Sequence, residues 1–402
     1  MTSAAVDQID FATDALPGAE LHTVLAELRE RGRVVRVRFR GGPALLVTRF
    51  EDLREAFRDD QSFPGGDMYV RITEPVVGRT FISMNGREHD QHRRLAAPAF
   101  SSRLVAQFDE NHLTPLAHSV VDRFAARGHA DLASEFTSVL PFYAITRKLG
   151  VPRTSDDRMC RWADRMLSYP TDPTGALAAA GEFTSELAPL VAERRQLPGE
   201  DLLSVLAHAQ VDGEGLGDEE LLSTIRLLFA VGATTTSHAM GNLLWTLLER
   251  PQILERARSE PELRPAIVQE LLRWEGPLGV LPTRIATHDT TFAGADVPRG
   301  TTILFGIASA NRDPRVFDEP DRFAPERAAP EILTFGFGNK FCPGSHLARR
   351  ELLTALDVLL ERLPGLRLAD RGGSTPTGGV LRHPSALRVS WNAPAATRRG
   401  PA

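Results

Sequence analysis

Apolar residues change their spacing several times along this chain, and each change predicts a different structure. In 33–38 (RVVRVR) and 44–48 (ALLVT) β-branched residues alternate or cluster over short runs, as paired strands require. From residue 90 to about residue 275 the spacing is helical. Within that stretch 218–250 stands apart. It opens with Asp218, Glu219 and Glu220, acids suited to the positive end of a helix, and meets no proline before Pro251. At ~1.5 Å per residue this predicts a rod of roughly 48 Å, long enough to cross a whole domain as its central helix. Short strand-like segments return after Pro277, including 301–305, followed by a loop at 311–327 rich in Asp, Pro and Arg. A helix is predicted over 345–363 and a last strand within 386–391. The expected fold is mainly α with minor β.

Composition narrows the class. The 402 residues carry a net charge of −5, which gives no basic footprint for nucleic acid. No run of eighteen uncharged apolar residues occurs, so no membrane anchor is expected. The first residues hold acids and no basic leader, so no secretory signal is expected. With only two cysteines, Cys160 and Cys342, a reducing cytoplasm fits better than a disulfide framework. Glycine and proline punctuate turns without forming a linker. One domain is therefore expected over 16–392, between flexible tails at 1–15 and 393–402.

The chemistry concentrates in Phe335-Gly336-Phe337-Gly338-Asn339-Lys340-Phe341-Cys342-Pro343-Gly344. Glycines clear side chains where a flat ligand would approach backbone. A thiolate before the 345–363 helix lies at the end that favours negative charge, and Cys thiolate is a ligand of haem iron. This segment resembles the haem-binding signature of cytochrome P450 enzymes, Phe-Gly-x-Gly-x-(His or Arg)-x-Cys-x-Gly, and departs from it only at Lys340. The resemblance implies the fold of that family over nearly the whole chain. It also implies haem b as cofactor, with Cys342 as axial ligand and Phe335, Gly336 and Gly344 against the ring.

Three further groups follow. In Ala230-Val231-Gly232-Ala233-Thr234-Thr235-Thr236, three β-branched residues and a glycine predict a kink or widened turn in the long helix. Aligned on the family's oxygen-pocket motif, Thr235 takes the place of the proton-delivering alcohol. Thr234 stands where that motif has an acid, and no Asp or Glu occurs between Glu220 and Glu249. Glu270 and Arg273 share a helical face. With Arg322 they match the family's buried Glu-Arg-Arg network, a structural role. His89 and Arg93, four apart, together with Arg284 and Lys340, are the expected partners of the two haem propionates.

Substrate contacts follow only by analogy with the family: Met68, Val70, Val76, Phe229, Ala233, Val280 and Leu381. They are apolar and suit an apolar or amphipathic guest. The implied reaction is hydroxylation or epoxidation with O2. Electrons are expected from a separate ferredoxin and its NAD(P)H-dependent reductase, because the chain leaves no room for a fused redox module. Two alternatives stay open: a haem-thiolate enzyme with non-hydroxylating or peroxide-driven chemistry, and a non-catalytic haem-binding sensor or carrier.

Overall fold

The computed structural model describes residues 6–151, 156–328, 331–370 and 374–392. Among them the strands, in chain order, are β1 (Val34–Phe39), β2 (Gly42–Val47), β3 (His129–Asp131), β4 (Thr283–Ile285), β5 (Thr290–Phe292), β6 (Ala295–Val297), β7 (Thr302–Phe305), β8 (Arg367–Leu368) and β9 (Arg388–Ser390). The helices that position the site are labelled α1 (Glu20–Arg31), α2 (Phe50–Arg58), α3 (Asp67–Ile72), α4 (Gly86–Ala96), α5 (Leu140–Leu149), α6 (Asp156–Leu167), α7 (Pro173–Gln196), α8 (Asp218–Leu248), α9 (Arg264–Trp274) and α10 (Ser345–Arg362).

The alternating runs become a hairpin. β1 and β2 pair antiparallel, Val34 opposite Val47, across a turn whose Arg40 and Gly41 both have positive φ. β2 then pairs in parallel with β7, and β7 antiparallel with β4, giving the sheet order β1-β2-β7-β4. Leu21, Val24 and Leu25 of α1 pack on Leu46 and Leu304 of this sheet in a small separate core. Phe11, 1% exposed, belongs to it, and Asp10 accepts backbone N–H groups of Arg40 and Gly41. Residues 6–15 are thus folded onto the sheet, unlike the flexible tail expected there. The acid at position 10 holds the hairpin turn, which hydropathy alone does not reveal. The tail expected at 393–402 lies outside the described residues.

The larger core surrounds α8. Its first turn is closed by the Glu220 carboxylate, which accepts the Gly217 N–H at 2.8 Å. It ends two residues short of the expected boundary because Arg250 precedes Pro251 and leaves the helical region, at φ −130° and ψ 72°. Phe229 is stacked on Phe183 of α7 at 4.4 Å and lies 6.3 Å from Phe142 of α5. Each such ring buried contributes about 2–3 kcal/mol. The α-helix continues unbroken through the three threonines, with no widened turn. Their hydroxyls bond back to Ala230, Val231 and Gly232 carbonyls at 3.2–3.4 Å, and Ile145 of α5 fills the notch left by Gly232. Packing overrides the weak propensity here. A second sheet, β3-β9-β8, closes the carboxyl-terminal side. Among the described residues no helix is long and apolar enough to cross a membrane.

Candidate active site

The loop before α10 is closed by its own backbone. Gly336 N–H donates to Leu333 and Cys342 N–H donates to Phe335 at 2.8 Å. Gly336 and Gly338 sit at φ +75° and +69°, which only glycine takes without strain. Gly344 has an ordinary φ of −78°. Its value is space, since a Cβ there would lie 3.9 Å from the Cys342 sulfur. Arg54 and Arg58 of α2 stack over Phe337, and Arg349 of α10 stacks over Phe335 at 4.4 Å. Burial pushes the Cys342 thiol up, while the Gly344 N–H, Arg93 and Arg349 favour its anion. A bound metal cation would deprotonate it outright.

Four basic side chains gather near this loop, Lys340 within electrostatic reach of His89, Arg93 and Arg284, and Arg93 within reach of Cys342. His89 of α4 is fully buried; its Nδ1 faces Asp90 at 3.0 Å, and its Nε2 has no partner. Arg93, one turn on, donates to the Phe341 carbonyl. Arg284 of β4 is 4% exposed, donates to Thr283, and hydrogen-bonds the Tyr69 hydroxyl of α3. Lys340 donates to the Met84 carbonyl. Burial lowers Lys340 to about 8; Arg284 and Arg93 repel it, and Asp60 and Asp90 attract it. Burial likewise lowers His89, with Lys340 and Arg93 adding repulsion. Such a gathering of cations, with an unpartnered imidazole nitrogen, fits a ligand that brings two carboxylates. Haem fits: its iron to Cys342, its propionates to this group.

Behind the loop, Glu270 and Arg273 of α9 form a bidentate pair, both bonds 2.8 Å. Arg273 also donates to the carbonyls of Asn311, Pro320 and Arg322. The Arg322 side chain differs from expectation. It is 64% exposed and pairs with Glu319, because the turn presents its carbonyl inward and its guanidinium outward. Arg327 instead reaches Glu270, at 3.5 Å. A second buried network joins His22, Glu275, Arg312 and Arg382.

Several residues expected as substrate contacts pack into the hydrophobic cores. Phe229 lies inside the α5–α7–α8 aromatic stack, and Val280, fully buried, belongs to the small core under the β1–β2 sheet. Val76 and Ala233 are also core, Val70 is 43% exposed, and Met68 and Leu381 are half-buried. Thr234 is buried and Thr235 half-buried on α8. Tyr69, Arg327 and Arg349 were not singled out for these positions. Arg327 lay within the Arg-rich loop already noted; Tyr69 had no local signal, because its partner is far along the chain.

A half-buried cysteine held in a glycine turn ahead of a helix, with cations for two carboxylates nearby, defines a haem-thiolate protein. Residues 182–365 match the family model described as Cytochrome P450. The chain is 35% identical over 401 residues to the mycinamicin IV hydroxylase/epoxidase of Micromonospora griseorubida, covering 97% of this chain and 100% of that one. It is 37% identical over 391 residues to the nocardicin C N-oxygenase of Nocardia uniformis subsp. tsuyamanensis, covering 92% and 96%. The solved structure of cytochrome P450 CYP109Q5 from Chondromyces apiculatus superposes with a TM-score of 0.86 at 29% identity, covering 97% and 100%. The chain belongs to the cytochrome P450 family, whose members bind haem b, and it is a monooxygenase.

Proposed function

We propose that this monooxygenase hydroxylates or epoxidises an apolar or amphipathic small molecule, drawing electrons from a separate ferredoxin and its NAD(P)H-dependent reductase. The observation that carries the reading is the proximity of Arg93 to Cys342 and of Lys340 to His89, Arg93 and Arg284. The relatives' names, one a hydroxylase/epoxidase and one an N-oxygenase, support oxygen insertion into a small molecule.

When bound, haem supplies the oxidising chemistry, delivering one atom of O2 to substrate and the other to water. The protein's residues set the conditions. Cys342 is the ligand and, as a thiolate, donates electron density. Arg93, Arg284, Lys340 and His89 hold the propionates and so fix the ring's orientation. Phe335 and Gly336 shape the loop beneath it. The Thr235 hydroxyl holds a proton donor in place, and Thr234 takes the adjacent position without a carboxylate. Met68 and Leu381, half-buried, are the remaining substrate contacts from the expected set. Phe341 is 36% exposed and adjoins Cys342, which puts protein surface for an electron donor beside the sulfur.

The test has two parts. Reduced protein under carbon monoxide is expected to show the long-wavelength band of thiolate ligation, lost in Cys342→Ser. With a ferredoxin, its reductase, NADPH and isotopically labelled O2, an apolar compound that perturbs the haem spectrum is expected to gain one labelled oxygen. Absence of the band in the parent protein removes the reading; product from peroxide alone, and none from the electron donors, removes the ferredoxin assignment.

A further inference from the structure

On the Thr234 side of α8 lies a cavity of about 500 Å³ with a mixed polar and apolar lining. Thr234, Ser237, His238 and Gly241 line it as one helical stripe, at i, i+3, i+4 and i+7. His383 and Asp164 of α6 face them. Thr235 is not in this wall; one residue on, it turns about 100° to another face. The cavity therefore reaches the neighbour of Thr235 without including Thr235 itself.

Two features single this cavity out. The rings of His238 and His383 are stacked, centroids 3.8 Å apart and planes 1° from parallel. In both, Nδ1 is buried and has no protein partner. A buried unpartnered nitrogen in a cavity of this size, with Thr234 and Ser237 in the same wall, calls for water. Burial, with His383 as the second cause, lowers His238 to about 3, and burial lowers His383 as well. Burial thus favours the neutral form of both rings. A neutral imidazole donates at one nitrogen and accepts at the other, so it can pass a proton while holding no charge. Asp164 is exposed at the rim, where the surrounding protein withdraws enough water to raise its carboxyl. The other charged groups facing the cavity are Arg123, which donates to the Tyr143 hydroxyl, and Glu135, paired with Arg127. At the inner end, the Thr234 hydroxyl makes only a 3.4 Å bond to the Ala230 carbonyl, weak enough to exchange for water.

We propose that this cavity is a proton inlet: Asp164 takes up protons at the rim, and His238, beside His383 and with cavity water, passes them to Thr234 and on to Thr235. The inlet supplies from α6 and the stacked imidazoles what α8 lacks, a carboxylate between Glu220 and Glu249. It rests on the reading of Thr235 as the proton-delivering alcohol. Each transfer is balanced. One imidazole nitrogen accepts a proton from rim-side water while the other releases its own toward Thr234, and the ring then returns to its starting tautomer.

The experiment uses haem-loaded protein without substrate. Reduced protein is mixed with O2, and the decay of the resulting spectrum is followed in H2O and D2O. Parent, His238→Phe, Asp164→Asn, Asp164→Glu and Thr235→Ala are compared. The phenylalanine keeps the stack and removes the nitrogens; the asparagine alters only an exposed rim group. Both variants are expected to slow the proton-dependent decay about tenfold and to change its solvent isotope effect, with Asp164→Glu near the parent. In the resting holoprotein, imidazole nitrogen NMR is expected to show His238 and His383 neutral at pH 7. If His238→Phe and Asp164→Asn match the parent in rate and isotope effect while Thr235→Ala does not, the inlet is wrong and the Thr235 reading stands. If Thr235→Ala also matches the parent, both fall. Imidazolium signals at pH 7 overturn the inlet as well.

Discussion

Two groups of buried charge in this molecule are built on opposite principles. Around Glu270 and Glu275 the account is closed. Arg273 spends its donors on the Glu270 carboxylate and three carbonyls. Glu275 gathers His22, Arg312 and Arg382. Around His89, Arg93, Arg284 and Lys340 it is open in charge: burial and neighbouring cations lower Lys340 and His89. An unpartnered nitrogen does not distinguish the two, since His22 Nδ1 and His89 Nε2 both lack a partner. A closed network holds the chain together, and breaking it leaves a stranded charge. An open one costs stability until an anion arrives. Charge balance in the interior thus separates scaffold from site where residue type does not, since both groups are made of arginines and histidines.

The comparison can be broken at several points. The largest effect is expected at the sulfur: Cys342→Ser removes the thiolate-type carbon monoxide band entirely, and a persistent band would refute the ligand assignment. Next, Glu270→Ala should cost about 3–5 kcal/mol, because Arg273 is left buried and unpaired. Urea unfolding measures it, and an unchanged midpoint would show that the network is not closed as described.

Acid should open the other closed network. His22 sits near 4 in the fold, below the ordinary 6.5, because burial and Arg312 disfavour its cation. The unfolded chain therefore binds more protons, and stability should fall as pH drops from about 6.5 toward 4. Glu275, held down to about 2 chiefly by His22 and the arginines against its burial, extends the loss below about 4.5. His22→Gln should flatten the upper part of that slope; an identical slope would contradict a neutral His22.

The open group should respond in the reverse sense. Arg284→Gln or Lys340→Gln is expected to weaken haem retention about tenfold, consistent with loss of a charge-assisted hydrogen bond. The same changes should leave haem-free stability unchanged or higher, because they relieve repulsion. Haem transfer to an acceptor protein and urea unfolding separate the two, and parallel losses in both would make these residues scaffold. The smallest effect belongs to Arg322→Ala, within ~0.5 kcal/mol, since its side chain is exposed. Arg327→Ala should cost more, and the opposite ranking would restore Arg322 to the network.

Much of this was legible beforehand where the information is local. The β1–β2 hairpin, the long α8, α10 and the Cys342 loop follow from periodicity, acidic helix starts and glycines within a few residues of one another. The cations gathered near the Cys342 loop were recognisable only as a set, through the Cys342 motif. What misled were positions whose meaning depends on direction. Phe229 was expected to face a substrate, yet it completes a stack with Phe183 and Phe142. Arg322 was expected inside, yet its carbonyl points in and its guanidinium out. Residues 6–15 looked like a tail because their anchors, Arg38, Arg40 and Gly41, lie some thirty positions away.

By itself the chain's order of residues determined that a cysteine would stand in a glycine turn ahead of a helix, with a long helix earlier and strands on either side. Those are short-range consequences of sterics, hydrophobic period and capping. Only the tertiary structure decided which arginine reaches Glu270, which aromatic rings close the core, and that His238 meets His383, 145 residues on, across one cavity. Such outcomes depend on which faces meet when distant segments pack, and no local pattern encodes that.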